Sequence, residues 1–155
     1  MSRPSLCYVD STILVALVGS GPTSDAVRRW FVQSNDAWVS SEMALMRALQ
    51  ILETNQRKGE PQGLSLPAVL MAFHTGVAIR SLPLGPLRHQ PTHPWLSILD
   101  ALELEAARIW RCPCLISHSP RLLEAARVAG LTSLSIGAKQ PATVGDWPRR
   151  SPIPP

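Results

Sequence analysis

At 155 residues the chain is the length of one ordinary domain and is long enough to bury a proper core. Its 45% hydrophobic and 17% charged content excludes a disordered chain. No apolar run approaches the roughly 18 residues of a membrane span. The formal net charge of +4, from 15 Lys+Arg against 11 Asp+Glu, is compatible with a polyanionic partner but does not specify one.

The apolar run Ile13 to Val18 is too short for a secretory signal and follows an Asp, so a cytoplasmic location is expected. Three cysteines make no closed disulfide framework. Cys112-Pro113-Cys114 with His118 lacks the second ligand pair of a structural zinc site and reads as buried thiols beside a strand.

Leu6 to Val9 predicts a short buried strand that ends in Asp10, with Ser11-Thr12 opening a helix that runs to Val18. Gly19-Ser20-Gly21-Pro22 stops it. Thr23-Ser24-Asp25 caps a second helix, with Val27, Trp30 and Phe31 inward and Arg28 and Arg29 outward. Asn35-Asp36 turns into a second strand, Ala37 to Val39. Ser40-Ser41-Glu42 then leads into a helix over Met43–Thr54, with Met43, Met46, Leu49 and Ile51 or Leu52 facing the core. Residues 55–63 read as an exposed loop, and Ser65-Leu66-Pro67 starts a helix to about Val77.

Ile79 to Leu84 predicts a third strand, placed at a sheet edge because Pro83 cannot donate to a ladder. Residues 85–95 should be irregular, with Trp95 exposed. Leu96 to Ile109 is the strongest helix, with Leu99, Leu102, Ala106 and Ile109 on its apolar face and Asp100, Glu103, Glu105 and Arg108 charged. Leu115 to Ser117 is a fourth strand, Pro120 opens a helix of Leu122, Leu123, Ala126 and Val128 that closes at Gly130, and Leu131 to Ile136 is a fifth strand. The proline-rich remainder reads as a tail, giving a domain over residues 1–137 and a tail over 138–155.

Strands alternating with helices predict a mostly parallel sheet covered on both faces. With no G-x-G-x-x-G and no P-loop, nucleotide binding loses its usual support. Asp10 falls at the carboxyl end of a strand, where open α/β sheets bind ligands. Two roles fit it: a helix N-cap, or a metal ligand if partner carboxylates arrive from elsewhere.

Tyr8-Val9-Asp10-Ser11-Thr12-Ile13-Leu14-Val15 resembles the "YLDTSALV" opening of PIN domains, in particular the VapC-type toxins. Val39-Ser40-Ser41-Glu42 resembles the family's second strand and helix entry. Leu96 to Ala107, with Asp100-Ala101-Leu102, is similar to "LRTLDALHLATA". Leu115 to Leu131 is similar to "LVTYDRRLAEAARALGL". The four matches stand in order over residues 6–136.

The resemblance implies a three-layer α/β/α PIN-like fold with a central, mostly parallel five-stranded sheet. It implies a Mg²⁺ (or Mn²⁺) dependent endoribonuclease, the toxin of a type II toxin–antitoxin pair, with an RNA substrate, a cognate antitoxin, a homodimer and no membrane. Asp10 and Asp100 match two of the family's metal-binding acids. A third acid position carries Arg47, and a fourth carries Ser119. Glu42 and Glu103 are candidate supporting catalytic acids, Glu103 because it lies one helical turn from Asp100. Glu42 reads equally as a first-turn acid favoured by the helix dipole. Arg47 is expected either to pair with Asp10 or Asp100 in place of the cation or to point away. Arg28, Arg29 and Arg121 are candidate phosphate contacts. The alternative to a nuclease is a weakened or inactive PIN-fold protein acting as a binding or regulatory partner.

Overall fold

The computed structural model describes residues 5–59, 76–82 and 95–137. Five strands and five helices follow in order among them: β1 (Leu6–Val9), α1 (Ser11–Val18), α2 (Pro22–Gln33), β2 (Ala37–Ser41), α3 (Glu42–Arg57), β3 (Val77–Arg80), α4 (Ile98–Ile109), β4 (Cys114–Ile116), α5 (Pro120–Val128) and β5 (Thr132–Leu134). The strands form one all-parallel sheet in the order β3-β2-β1-β4-β5. The chain leaves β1 for β2 and β3 on one side and returns to β4 and β5 on the other. The carboxyl ends of β1 and β4 therefore flank the point where strand order reverses, which is where open α/β sheets form their crevice.

Alternation along the strands sorts the two faces. Cys7, Val9, Trp38, Cys114 and Ile116 pack against Ile13, Leu14, Val27, Ala44 and Ala48 from α1, α2 and α3. Tyr8, Val39 and Leu115 point the other way, onto Leu104, Ala106, Ala107, Leu122 and Ala126 of α4 and α5. This is the expected three-layer α/β/α arrangement, with all of its described strands parallel. The edge position of β3 and the exposure of Trp95 are also as expected.

Several local expectations are corrected. The α3 helix runs on to Arg57, so Asn55 to Arg57 are helical rather than loop. Its buried residues are Ala44, Ala48 and Leu52, while Met46 is 68% exposed. The small alanines let the helix lie close on α1, and this turns Met46 outward. The α2 helix begins at Pro22 behind Gly21 and has no side-chain cap. Arg28 is half-buried rather than outward: its Nη1 donates to Gly19 O (2.7 Å) and Leu17 O (3.3 Å), satisfying carbonyls at the α1 end. Strand β3 starts at Val77, two residues before the expected Ile79, and Val77 is strand rather than the end of a helix. Leu99 and Val128 are exposed. Most of the helix expected over 65–77, the irregular segment 85–94 and the tail 138–155 lie outside the described residues.

Candidate functional site

Asp10 is pinned at the end of β1 by its backbone N–H, which donates to Ile116 O on β4. It plays the capping role: Oδ1 accepts from Ile13 N at 3.1 Å and from Thr12 Oγ1 at 2.6 Å. It also reaches across to the residue that follows β4, where Ser117 Oγ donates to Oδ2 at 2.5 Å. With the residue 1% exposed, burial raises its carboxyl above the ordinary range, and the bonds from Ser117, Thr12 and Ile13 oppose that rise.

Helix α4 delivers the other acids. Ser97 caps it through Asp100 N. Its buried residues are Asp100, Glu103, Leu104, Ala106 and Ala107, a stripe at helical spacing. Glu103 therefore points into the protein rather than into solvent with Glu105 and Arg108. Its Oε2 accepts from Ser11 N (3.1 Å) and its Oε1 from Ser11 Oγ (3.0 Å), tying α4 to the first residue of α1. Burial and the nearby charge of Asp10 push the Glu103 carboxyl up to about 8, against the opposing bonds of Ser11 and the charge of Arg47.

Arg47 comes from α3, on the opposite face of the sheet, and crosses the carboxyl end of the strands. Its Nη1 donates to Asp100 Oδ1 at 2.7 Å and to Glu103 Oε1 at 3.3 Å. Burial works against its charged form. The bond to Asp100 and the charges of both acids outweigh that and raise its pKa further. The expected pairing with an acid is present, and the partners are Asp100 and Glu103 rather than Asp10.

The structure thus brings Asp10, Asp100 and Glu103 together and leaves out Glu42. That residue is exposed at the start of α3 and makes no side-chain hydrogen bond or ion pair among the described residues. Ser119, at the other missing-acid position, caps α5 through Leu122 N. Its own N–H donates to Ser117 Oγ at 2.8 Å.

Sequence reasoning missed the hydroxyl lining of this site. Ser11 serves Glu103, and Ser117 joins Asp10 to the turn after β4. Thr12 Oγ1 accepts from His118 N at 2.8 Å, and Ser41 Oγ lies 3.1 Å from the buried Tyr8 hydroxyl. The usable signal was a hydroxyl residue at or within a few positions of three strand ends: Ser11-Thr12 behind Asp10, Ser41 closing β2 and Ser117 after β4. Taken strand by strand it reads only as capping.

A divalent ion does not fit this arrangement as it stands. Both oxygens of Asp10 and both of Glu103 accept protein hydrogen bonds, and Asp100 Oδ1 is engaged by a guanidinium. Among the described residues no group of three His, Cys, Asp or Glu side chains is placed to hold a metal. What the site offers is a buried acid cluster compensated by a cation of its own chain.

The fold defines the class: it is PIN-like. It matches VapC20 of Mycobacterium tuberculosis, a sarcin-ricin loop cleaving toxin, at TM-score 0.57 and 16% identity, over 81% of this chain and 96% of that one. A Pyrobaculum aerophilum protein matches at TM-score 0.61 and 17% identity, over 83% of each chain. A PilT N-terminus domain protein from Sulfolobus solfataricus matches at TM-score 0.50 and 13% identity, over 84% of this chain and 86% of that one. No family model matches the chain, and no curated protein matches it. The likeness is one of fold, and at these identities the chemistry rests on the chain's own residues.

Proposed function

We propose that this is a VapC-type PIN protein that binds RNA and whose hydrolytic centre is closed, so that it acts as a binding or regulatory partner rather than a nuclease. The single observation behind this reading is the Arg47 bridge to Asp100 and Glu103. A family nuclease uses its acids to hold a divalent ion that polarises the phosphate and activates water. Here a fixed organic cation meets two of the acids, and it carries no exchangeable water to activate.

RNA is favoured by the fold neighbour described as a sarcin-ricin loop cleaving toxin and by basic groups at the same end of the sheet that form no ion pair among the described residues. Arg80, the last residue of β3, pairs in register with Ser41, whose hydroxyl meets Tyr8. Arg121 lies in the first turn of α5, two residues after Ser119. Both are exposed and form no ion pair among the described residues. Arg29 is also exposed and unpaired there, whereas Arg28 is committed to α1 and to Asp25. Phosphate contacts of this kind position a nucleic acid without reading its sequence.

A Mg²⁺ or Mn²⁺ dependent ribonuclease toxin is the second reading. It is favoured by three buried acids at one end of the sheet: Glu103 feels the charge of Asp10 and shares Arg47 with Asp100. A cognate antitoxin and a homodimer would accompany it.

The test is to incubate the purified chain with a labelled stem-loop RNA, with and without Mn²⁺, and to follow anisotropy and strand length together. The proposal expects salt-sensitive binding that weakens when Arg80 and Arg121 are both changed to Gln, with the RNA left intact. Metal-dependent cutting that Asp10→Asn abolishes would establish the nuclease instead. Absence of binding would remove RNA as the partner.

A further inference from the structure

We propose that Trp95 is a stacking platform for an unpaired RNA base, so that the RNA held beside Arg80 is single-stranded or looped rather than duplex. This deepens the RNA-binding reading above and rests on it.

Among the described residues six large hydrophobic side chains are exposed, and four of them gather on two segments: Met46 on one, Trp95, Ile98 and Leu99 on the other. The Arg47–Asp100 pair joins those segments across the carboxyl end of the sheet, with Met46 preceding Arg47 and Leu99 preceding Asp100. Single exposed apolar residues are ordinary, whereas apolar side chains gathered at one end of a fold mark a contact surface.

The indole is the part of that surface that suits a nucleic acid. Trp30 and Trp38 are buried against each other, and Trp110 is half-buried beside the Tyr8 ring. Trp95 is 44% exposed, yet its backbone is held. The next residue, Leu96, packs on the cluster of Tyr8, Val39 and Leu115 beneath α4, and Ser97 caps that helix. A rigid ring fixed at its root loses little freedom when a base covers its face.

Arg80 approaches from the same side. Val77 and Ile79 of β3 pack into the opposite layer, so alternation turns Arg80 toward α4. Leu82, two residues on, packs on the same cluster as Leu96. One cluster thus anchors the segment that carries the cation and the segment that carries the indole. Each nucleotide of RNA offers a phosphate, which Arg80 can take, and a base face, which Trp95 can take. In a duplex the base faces are already stacked on their neighbours, so only an unpaired base can cover the indole. Phosphate contacts alone would not separate the two forms by sequence or pairing.

The experiment compares a uridine oligonucleotide carrying one central 2-aminopurine with a blunt RNA duplex of equal length, by anisotropy and 2-aminopurine emission, with thermal melts alongside. The native chain should bind the single strand more tightly than the duplex and quench the 2-aminopurine. Trp95→Leu should weaken single-strand binding at least about fivefold and abolish the quenching, with the salt dependence unchanged. Trp95→Phe, which keeps a ring, should retain most of both. Arg80→Gln should instead lower the salt slope by about one and keep the quenching. A duplex bound as tightly as the single strand, or a folded Trp95→Leu that binds and quenches like the native chain, would overturn the inference while leaving the RNA-binding reading in place. Native protein that binds neither RNA would overturn both and leave the apolar surface to a protein partner. If Trp95→Leu does not fold, the native chain's quenching and its preference for the single strand decide, and their absence overturns the inference equally.

Discussion

Arg47 on α3 and Asp100 on α4 stand 53 positions apart in the chain and are joined by a 2.7 Å ion pair across the carboxyl end of the sheet. The two helices cover opposite faces, so this pair and the neighbouring bond to Glu103 clamp the outer layers together over β1. The clamp is also a stability element. Arg47→Ala leaves two largely buried carboxylates without their cation, a change that costs about 3–5 kcal/mol for a fully buried pair. The Arg47 side chain is 27% exposed, so a smaller loss of about 2 kcal/mol is expected. Urea unfolding measures it, and Arg47→Lys should recover part of the loss.

Glu103 makes stability pH-dependent. Its carboxyl titrates near 4.5 when unfolded and near 8 in the fold, because burial and Asp10 oppose its ionisation. Between those values the unfolded chain has released the proton and the folded chain still holds it. The folded state binds more protons, so stability falls as pH rises from about 4.5 to about 8 and levels off above. Glu103→Gln should flatten this slope. Arg47→Gln should carry it to higher pH, because a compensating charge is removed. Denaturant midpoints between pH 4.5 and 9 check both.

Ser117 is a small residue with two duties, donating to Asp10 Oδ2 and accepting from Ser119 N. Ser117→Ala strands a buried carboxylate oxygen and a backbone N–H. An unfolding free energy lower by about 1–3 kcal/mol is expected. Carboxyl NMR titration should also show the Asp10 pKa moving further up, since the largest opposing hydrogen bond is gone.

Gly76 tests the opposite layer. A Cβ placed there would lie 2.3 Å from Phe31 Cζ, and the Phe31 ring is itself held edge-on against Trp38 at 4.5 Å. Gly76→Ala should therefore lower stability by about 1–3 kcal/mol through overpacking. Phe31→Leu, which makes room, should reduce that penalty in a double-mutant cycle.

Much of this was legible in the sequence. The apolar runs that end at Asp10, Ser41 and Ser117 marked the strands, and punctuation by Gly19-Ser20-Gly21-Pro22 and Gly130 marked helix ends. The family-like segments carried the order of elements.

What escaped depended on which face a helix presents. The charge pattern groups Glu103 with Glu105 and Arg108, and only its spacing from Asp100 makes it a candidate acid, because polarity normally marks the outer face. In α4 the inner face holds both carboxylates, and exposed Ile98 and Leu99 take the outer one. Met46 read as core by spacing, yet the smaller Ala44 and Ala48 won the contact with the sheet layer. Arg28 read as surface because nothing local reveals carbonyls waiting at the end of the preceding helix. Each miss was decided by a partner distant in sequence or by close packing, which local periodicity does not encode.

The central claim is that Arg47 closes the acid cluster. Restoring acids at the two divergent positions, Arg47→Glu with Ser119→Asp, tests it most directly in a ribonuclease assay with Mn²⁺ or Mg²⁺. Native protein should leave RNA intact, and the double variant should cut it in a metal-dependent way that Asp10→Asn abolishes. Metal-dependent cutting by the native chain, with no gain in a folded double variant, would contradict the account.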